Sequence, residues 1–309
     1  MTPSGVSGPN LTTERGLARL AAVLVAALAI WAAPSSGEGQ FSSSVNLVEV
    51  YASVTDRQGQ PVRGLSREDF TVREDGAVQQ VTAFTAGEFP VSVAVALDRS
   101  FSMAGQRLAA ARSAARLFLD ELRPADESML IGVGSITEVL APLSTDRTRQ
   151  FDVLTRLDAF GTTGLYDAII AAIDAIQPAR GRRALVLLSD GSDRYSTATS
   201  AEALARARGA DVLVYPIALG EARPPVFAEL ATLTGARSFH VRDARQLPET
   251  LRTVAAELRH QYLLGYSPSK PPVAGSNEWR SIAVGVRRRL LLTGEVRLAA
   301  EYALQGYLT

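Results

Sequence analysis

"VSVAVALDRSFSMAG", residues 91–105, joins an uncharged, largely apolar run to a polar loop. The run stops at Asp98, and Ser100 and Ser102 then follow at every second position before a helical pattern begins. A strand that is apolar almost throughout is expected to be buried on both faces, as in a parallel sheet covered by helices. The loop after it is either an ordinary turn whose serine caps a helix or part of a metal site.

The same alternation of apolar runs and helical patterns continues over residues 90–258. The strand candidates are 91–97, 128–136, 184–189, 212–219 and 237–241. The helical stretches are 104–122, 146–158, 165–177, 199–209, 225–234 and 245–259. This pattern predicts an α/β domain, with a doubly wound, mostly parallel sheet and helices on both faces.

The flanks of this domain, residues 41–89 and 259–309, contain strand patterns. Val48, Val50, Ala52 and Val54 alternate onto one face. Asp75-Gly76 predicts a hairpin within 69–84, and strand candidates recur at 260–267, 279–286 and 295–302. Each flank has too few strands to bury a core alone. We therefore expect both to form one small all-β sandwich into which the α/β domain is inserted, the alternative being two unrelated hairpins.

The first 40 residues are predicted to be a signal peptide and linker. Arg15 and Arg19 precede an uncharged run over 20–33, and small residues with Pro34 follow. This run is shorter than the roughly 20 residues of a membrane span. We expect export to the periplasm or beyond the cell. The alternative is that the segment stays uncleaved and anchors the chain, which would be its only membrane contact.

Composition excludes several classes of site. The formal net charge is zero, so no basic excess indicates a nucleic-acid partner. The chain has no cysteine, which rules out disulfides, thiolate metal sites and cysteine nucleophiles.

Polar oxygens cluster where the predicted strands end. In an open α/β sheet, ligands bind beyond the carboxyl ends of the strands. The candidates there are Asp98, Ser100, Ser102, Thr162, Thr163 and Asp190. Alternation in an extended loop would put residues 98, 100 and 102 on one side. Hard oxygen ligands with few carboxylates favour Mg²⁺, with Mn²⁺ or Ca²⁺ as alternatives.

The motifs "DRSFS" (98–102), "TT" before "GLYDA" (162–168) and "SDG" (189–191) resemble the metal-ion-dependent adhesion site of the von Willebrand factor A domain. The resemblance covers about 90–258. It implies direct metal binding by Ser100, Ser102 and Thr163, contacts mostly through water from Asp98 and Asp190, and a ligand carboxylate that completes the coordination.

Three further residues are expected to shape this site. Phe101 stands where the family commonly has glycine, so its ring would shape or cover the metal. Thr163 is preferred over Thr162 because the family's threonine lies two residues before "LY". Asp193 either supports the ligands or is a solvated loop residue, and we favour the second interpretation.

The wider chain also resembles a known group. "ASVTDRQGQPVRGLSREDF" (52–70) and "QYLLGYSP" (261–268) are similar to segments of bacterial exported proteins related to the A domain. This similarity indicates how the domains are arranged along the chain and says little about function.

We expect a non-enzymatic, adhesion-type binding module that captures a carboxylate of a partner protein through the metal. The alternative is a metal-dependent hydrolase or phosphoesterase using the same oxygens. It lacks an evident general base, since His240 and His260 are far from the motifs in sequence and are interpreted as structural. Ser102 is expected both to end the loop as a helix cap and to face the ion.

Overall fold

The computed structural model describes residues 47–56, 60–271, 279–286 and 294–297. The predicted signal segment, 1–40, lies outside these ranges. Among the described residues, no helix is both long and apolar enough to cross a bilayer.

Within these ranges the chain alternates strands and helices. The strands are β1 (Val48–Asp56), β2 (Phe70–Glu74), β3 (Ala77–Gln79), β4 (Val81–Gly87), β5 (Val91–Asp98), β6 (Glu127–Val133), β7 (Glu138–Ser144), β8 (Arg182–Ser189), β9 (Leu213–Leu219), β10 (Phe239–Val241), β11 (Gln261–Tyr266), β12 (Ile282–Val286) and β13 (Gly294–Arg297). The α-helices are α1 (Gln106–Glu121), α2 (Thr148–Arg156), α3 (Leu165–Ile176), α4 (Ser200–Arg208), α5 (Pro225–Thr234) and α6 (Leu247–Arg259).

A six-stranded sheet forms the centre of the α/β part, in the order β10-β9-β8-β5-β6-β7. All neighbours are parallel except β7, which runs antiparallel to β6. The central strand β5 pairs on both sides, with Val95 opposite Leu130 on β6 and Val186 on β8. The predicted mostly parallel sheet is thereby confirmed. The edge strand β7 was not predicted.

Helices cover both faces of this sheet, as expected from its uninterrupted apolar strands. On β5, Val93, Val95 and Leu97 enter a core shared with α1 and α6. Ala94 and Ala96 point the other way, into a core shared with α3, α4 and α5. Period-two alternation thus buries every residue of the strand, which explains why β5 carries no outward-facing polar residues before its end.

The flanking segments combine into two further sheets, as predicted for a single sandwich. Their orders are β13-β1-β11-β4 and β12-β2-β3, so each sheet contains strands from both flanks. Val48 on β1 lies opposite Tyr266 on β11, and Val72 on β2 opposite Val284 on β12. One core joins the two sheets, and it includes the predicted inward face of β1. The domain boundaries proposed above remain a prediction.

The hairpin predicted within 69–84 forms only in part. Asp75 and Gly76 both have positive φ, 47° and 82°, as the tight turns of two-residue hairpins require. However, β3 ends at Gln79, and β4 leaves for the other sheet, where it pairs with β11. The chain therefore changes sheets near residue 80 instead of completing the hairpin.

A buried ion pair lies inside the sandwich. Arg280 Nη1 donates to Glu74 Oε1 at 2.7 Å, and both residues are less than 5% exposed. Tyr266 Oη donates to the other carboxylate oxygen at 2.5 Å. Arg280 also donates to the carbonyl oxygen of Lys270. The pair thus joins β2, β11 and the segment before β12.

Candidate metal centre

Three loops meet at the carboxyl ends of β5 and β8. Asp98 ends β5, Asp190 follows β8, and Thr163 precedes α3. All three residues are at least nine-tenths buried. Thr163 Oγ1 lies 3.5 Å from Asp98 Oδ2, although the residues are 65 positions apart in the chain. The fold therefore brings the sequence-predicted oxygens of separate loops to one place.

The loop after β5 presents its hydroxyls through a turn. Ser100 N donates to Asp98 Oδ1 at 2.9 Å, and a single 3₁₀ turn covers Phe101–Met103. The hydroxyls of Ser100 and Ser102 come within 3.1 Å of each other. The expectation that the serines share a side is met, but extended alternation was the wrong reason. The aspartate side chain bonds the backbone two residues on, which turns the chain.

Ser102 is not the cap of the following helix, contrary to our expectation. Helix α1 starts at Gln106, its N-cap is Gly105, and no side chain accepts a hydrogen bond at that cap. Gly105 has a φ of 77°, a conformation that favours glycine. Ser102 is exposed, and its hydroxyl lies next to that of Ser100.

Ser189 is a functional neighbour that the sequence interpretation missed. Its hydroxyl donates to Asp98 Oδ2 at 2.6 Å and accepts from Gly191 N at 3.0 Å. It therefore joins the carboxylate of one loop to the backbone of the next. The available signal was a serine at the last, buried position of an otherwise apolar strand, where a polar group needs partners.

The turn at Asp190 depends on the glycine after it. Asp190 Oδ1 accepts from Ser192 N at 3.0 Å. Gly191 has a φ of 78°, and a Cβ atom there would lie 1.9 Å from Pro224 Cγ. Only glycine fits this turn without displacing the proline ring, so the turn holds Asp190 at the end of β8.

The two threonines have different surroundings. Thr163 is buried against Asp98, whereas Thr162 is exposed, and its backbone N–H donates to Ser135 Oγ at 3.0 Å. The hydroxyls of Thr162 and Ser135 lie 3.5 Å apart. This geometry agrees with the preference for Thr163 as the candidate ligand and gives Thr162 a role in loop contacts.

Asp193 is not simply a solvated loop residue, and that interpretation was wrong. Asp193 Oδ1 accepts from Leu165 N at 2.7 Å and from Ser196 Oγ at 2.6 Å. Leu165 is the first residue of α3, whose free N–H groups need acceptors. Asp193 thus fixes the start of the helix that directly follows Thr163.

Electrostatics at the site favour a cation. Burial raises the pKa of Asp98 above its usual range. The negative charge of Asp190 acts in the same direction, while hydrogen bonds from Ser100 and Ser189 oppose the shift. Two buried carboxylates that repel each other would both be stabilised by one divalent ion between them.

The donor set fits a hard divalent ion. Asp98, Asp190, Ser100, Ser102 and Thr163 supply carboxylate and hydroxyl oxygens only, which suit Mg²⁺, Mn²⁺ or Ca²⁺. In the part of the chain that the structure describes, no three His, Cys, Asp or Glu side chains gather as a metal-binding group. Any site here therefore depends on its hydroxyls as well as on its carboxylates.

Both histidines bond backbone carbonyls. His240 Nε2 lies 2.8 Å from the carbonyl oxygen of Gly220. His260 Nδ1 lies 3.2 Å from that of Ala256, at the end of α6. These contacts agree with the structural interpretation of both residues.

Comparison with known proteins identifies the α/β part. A family model of the von Willebrand factor type A domain matches residues 93–192, which include all five candidate ligands. A comparison with curated proteins gave no match.

Two solved structures share the fold. One is described as von Willebrand factor type A from Catenulispora acidiphila, with 15% identity, a TM-score of 0.52, and coverage of 81% of this chain and 71% of that one. The other is proximal thread matrix protein 1 from the mussel byssus with a zinc-occupied MIDAS motif, with 11% identity, a TM-score of 0.51, and coverage of 61% and 50%. The α/β part of this chain therefore has the fold of the von Willebrand factor type A domain, whose family model matches residues 93–192.

Proposed function

We propose that this chain is an exported protein-binding module that captures a carboxylate of a partner protein through a divalent metal, Mg²⁺ in the first place. The observation that carries the proposal is the meeting of Asp98, Ser100 and Thr163 at one sheet edge, with Asp190 on the adjoining loop.

The charges of the site explain why it would take an anionic group. Asp98 and Asp190 supply two negative charges, and the serine and threonine hydroxyls supply none. With neutral hydroxyls as its direct ligands and the two carboxylates acting mostly through water, a divalent ion held there would stay electrophilic and attract a carboxylate to an open coordination position. Ser102 is the exposed member of the set, so a partner would reach the ion from the side of that residue.

The domain type supports the same function. Von Willebrand factor type A domains are in general protein-interaction modules without enzymatic activity. A structurally similar protein, proximal thread matrix protein 1, is described with zinc in its MIDAS motif. We extend metal binding to this chain because its own donor set fits a divalent ion.

Metal titration of the purified chain tests the site. We expect Mg²⁺ or Mn²⁺ to raise the unfolding temperature of the wild type, since a ligand that binds only the folded state stabilises it. Asp98→Asn should abolish this rise, while Asp120→Asn, at an exposed carboxylate on α1, should keep it. Zn²⁺ and Ca²⁺ titrations establish the metal preference. An equal metal-dependent rise of the unfolding temperature in both variants would contradict metal binding at Asp98.

Carboxylate capture needs a second measurement. Immobilised glutamate peptides should retain the wild type in Mg²⁺ and release it in EDTA, while matched glutamine peptides should retain little in either buffer. Retention that does not change in EDTA would contradict capture through a metal, whatever the titration shows.

The hydrolase alternative has less support in the structure. General-base catalysis needs a base within hydrogen-bond reach of the attacking water, and one ring nitrogen of each histidine already lies within hydrogen-bond distance of a backbone carbonyl oxygen. We expect no phosphoesterase or esterase activity above the rate measured in metal-containing buffer without protein. Turnover that is lost in Asp98→Asn would reverse the assignment.

Export is a separate part of the proposal and rests on the sequence of residues 1–40 alone. Fused to a reporter enzyme that is active only outside the cytoplasm, residues 1–40 should give active reporter. Deletion of 20–33 should remove that activity. An inactive full-length fusion would contradict export.

A further inference from the structure

Large apolar side chains surround the candidate metal centre. Among the residues that the structure describes, seven large hydrophobic side chains are exposed, and four of them lie on the loops at this sheet edge. These four, each more than half exposed, are Phe101, Ile136, Phe160 and Tyr195, which we call the apolar rim. The other three, Val78, Leu117 and Val139, lie on β3, α1 and β7.

Backbone hydrogen bonds connect the first two rim loops. Phe101 N donates to the carbonyl oxygen of Gly161 at 3.0 Å. Phe160 N donates to that of Arg99 at 2.6 Å. The segments that carry Phe101 and Phe160 therefore run side by side next to Asp98.

The other two rim residues belong to the same connected set of loops. Ile136 follows Ser135, whose hydroxyl accepts from Thr162 N at 3.0 Å. Tyr195 N donates to the carbonyl oxygen of Thr163 at 3.1 Å. All four rim residues thus lie within two positions, or one hydrogen bond, of the loops that hold the candidate ligands.

The ring of Phe160 has a defined support. The Arg99 guanidinium lies 5.1 Å from the ring centroid, and it pairs with Glu138 at 2.7 Å. The arginine charge is therefore met by a carboxylate. Exposed apolar patches of this kind mark interaction sites in soluble proteins.

We propose that the apolar rim binds apolar side chains on both sides of the captured carboxylate, so that the partner is a protein segment whose acidic residue lies between apolar residues. This inference rests on the proposed metal-dependent capture. An apolar ring around a polar contact excludes water from it and strengthens the central interaction. A lipid surface fits less well, since the chain has no net positive charge.

Calorimetric titration of two short peptides tests the rim. One peptide carries a glutamate between leucines, and in the other serines replace the leucines. In Mg²⁺ we expect the leucine-flanked peptide to bind about tenfold more tightly, which corresponds to partial burial of one or two apolar side chains. In EDTA we expect neither peptide to bind, so the heats should equal those of titrating the peptides into buffer alone.

Rim variants assign the difference to named residues. Ile136→Ser and Tyr195→Ser should each reduce the preference for the leucine-flanked peptide and leave Mg²⁺ affinity unchanged, which also shows that the variants are folded. Leu117→Ser is the matched control, because it removes an exposed apolar side chain outside the rim. It should leave both peptide affinities unchanged.

The outcomes separate this inference from the proposed function. Equal, Mg²⁺-dependent affinities for the two peptides would overturn the rim and leave metal-dependent capture standing. Tight binding of the leucine-flanked peptide in EDTA would overturn capture through the metal. A third outcome is that neither peptide binds, while the chain sediments with phosphatidylserine vesicles and Phe101→Ser abolishes this sedimentation. The rim would then bind a membrane and not a protein segment, which would overturn the rim as proposed.

Discussion

Ser189 Oγ donates a hydrogen bond of 2.6 Å to Asp98 Oδ2, across 91 positions of the chain. The bond favours the ionised carboxylate and so opposes the burial that raises the pKa of Asp98. The same hydroxyl accepts from Gly191 N, next to Asp190. One side chain therefore contacts both the carboxylate of Asp98 and the backbone of the second loop.

Ser189→Ala should accordingly weaken metal binding without removing a ligand. Groups that support ligands typically contribute about 10–100-fold in metal affinity. The pKa of Asp98 should rise further, so the affinity loss should be larger at pH 5 than at pH 8. Mn²⁺ titrations at several pH values measure this, with exposed Ser113→Ala as the control. An unchanged pH profile would contradict the role of Ser189.

Asp98 should make the metal-free protein less stable as pH rises. Its folded pKa is raised, so its stabilising contribution is complete below the unfolded pKa of about 4 and is lost as pH rises through the folded pKa. In EDTA, the free energy of unfolding of the wild type relative to Asp98→Asn should therefore fall from pH 4 to pH 7. Urea unfolding at both pH values measures it. A difference independent of pH would show that burial of Asp98 has no such cost.

Gly191→Ala should damage both the fold and the site. The new Cβ atom would meet the rigid ring of Pro224, in addition to the cost of a positive φ. Gly64 has the same φ of 78° with no atom within 4 Å of a Cβ, so Gly64→Ala isolates the backbone cost of about 1–2 kcal/mol. We expect Gly191→Ala to lower the free energy of unfolding by about 1–3 kcal/mol more than Gly64→Ala does. It should also weaken metal binding. Equal losses of unfolding free energy would contradict the clash.

Glu74→Ala should be strongly destabilising, because it removes the buried carboxylate that pairs with Arg280 and accepts from Tyr266. Breaking a buried pair typically costs about 3–5 kcal/mol. Urea unfolding measures the loss, and Glu68→Ala, at an exposed carboxylate, should cost little. A loss similar to that of Glu68→Ala would show that the pair contributes little to the sandwich.

The α/β part could be predicted because its central strands are buried on both faces and are apolar over most of their length. The missed strand, β7, lies at the edge of the sheet, where only Ala141 is buried and Pro142 interrupts the pattern. An edge strand has one neighbour and needs little apolar surface, so its sequence resembles a loop. The early end of the hairpin at Gln79 had no local signal, since β4 continues with similar residues into another sheet.

The candidate ligands could be predicted because they follow strands whose carboxyl ends share one sheet edge, and because their motifs resemble the A-domain metal site. The supporting contacts could not. Ser189 and Asp193 act through partners that are distant in the sequence, such as Asp98 and Leu165. The apolar rim was signalled only by Phe101, since exposure of Ile136, Phe160 and Tyr195 depends on how the loops fold.

The arrangement of β1 constrains the order in which the chain can fold. Its two neighbours, β11 and β13, are both more than 200 residues later, with Val48 opposite Tyr266 and Val54 opposite Val296. During synthesis or translocation from the amino end, β1 emerges long before either neighbour exists. The A domain between them has all its strands by residue 241. Once this domain has folded, its two ends are held at a fixed separation, and the loop entropy that β11 and β13 lose on pairing with β1 is smaller. The inserted domain therefore also acts as a short connection between the two halves of the sandwich.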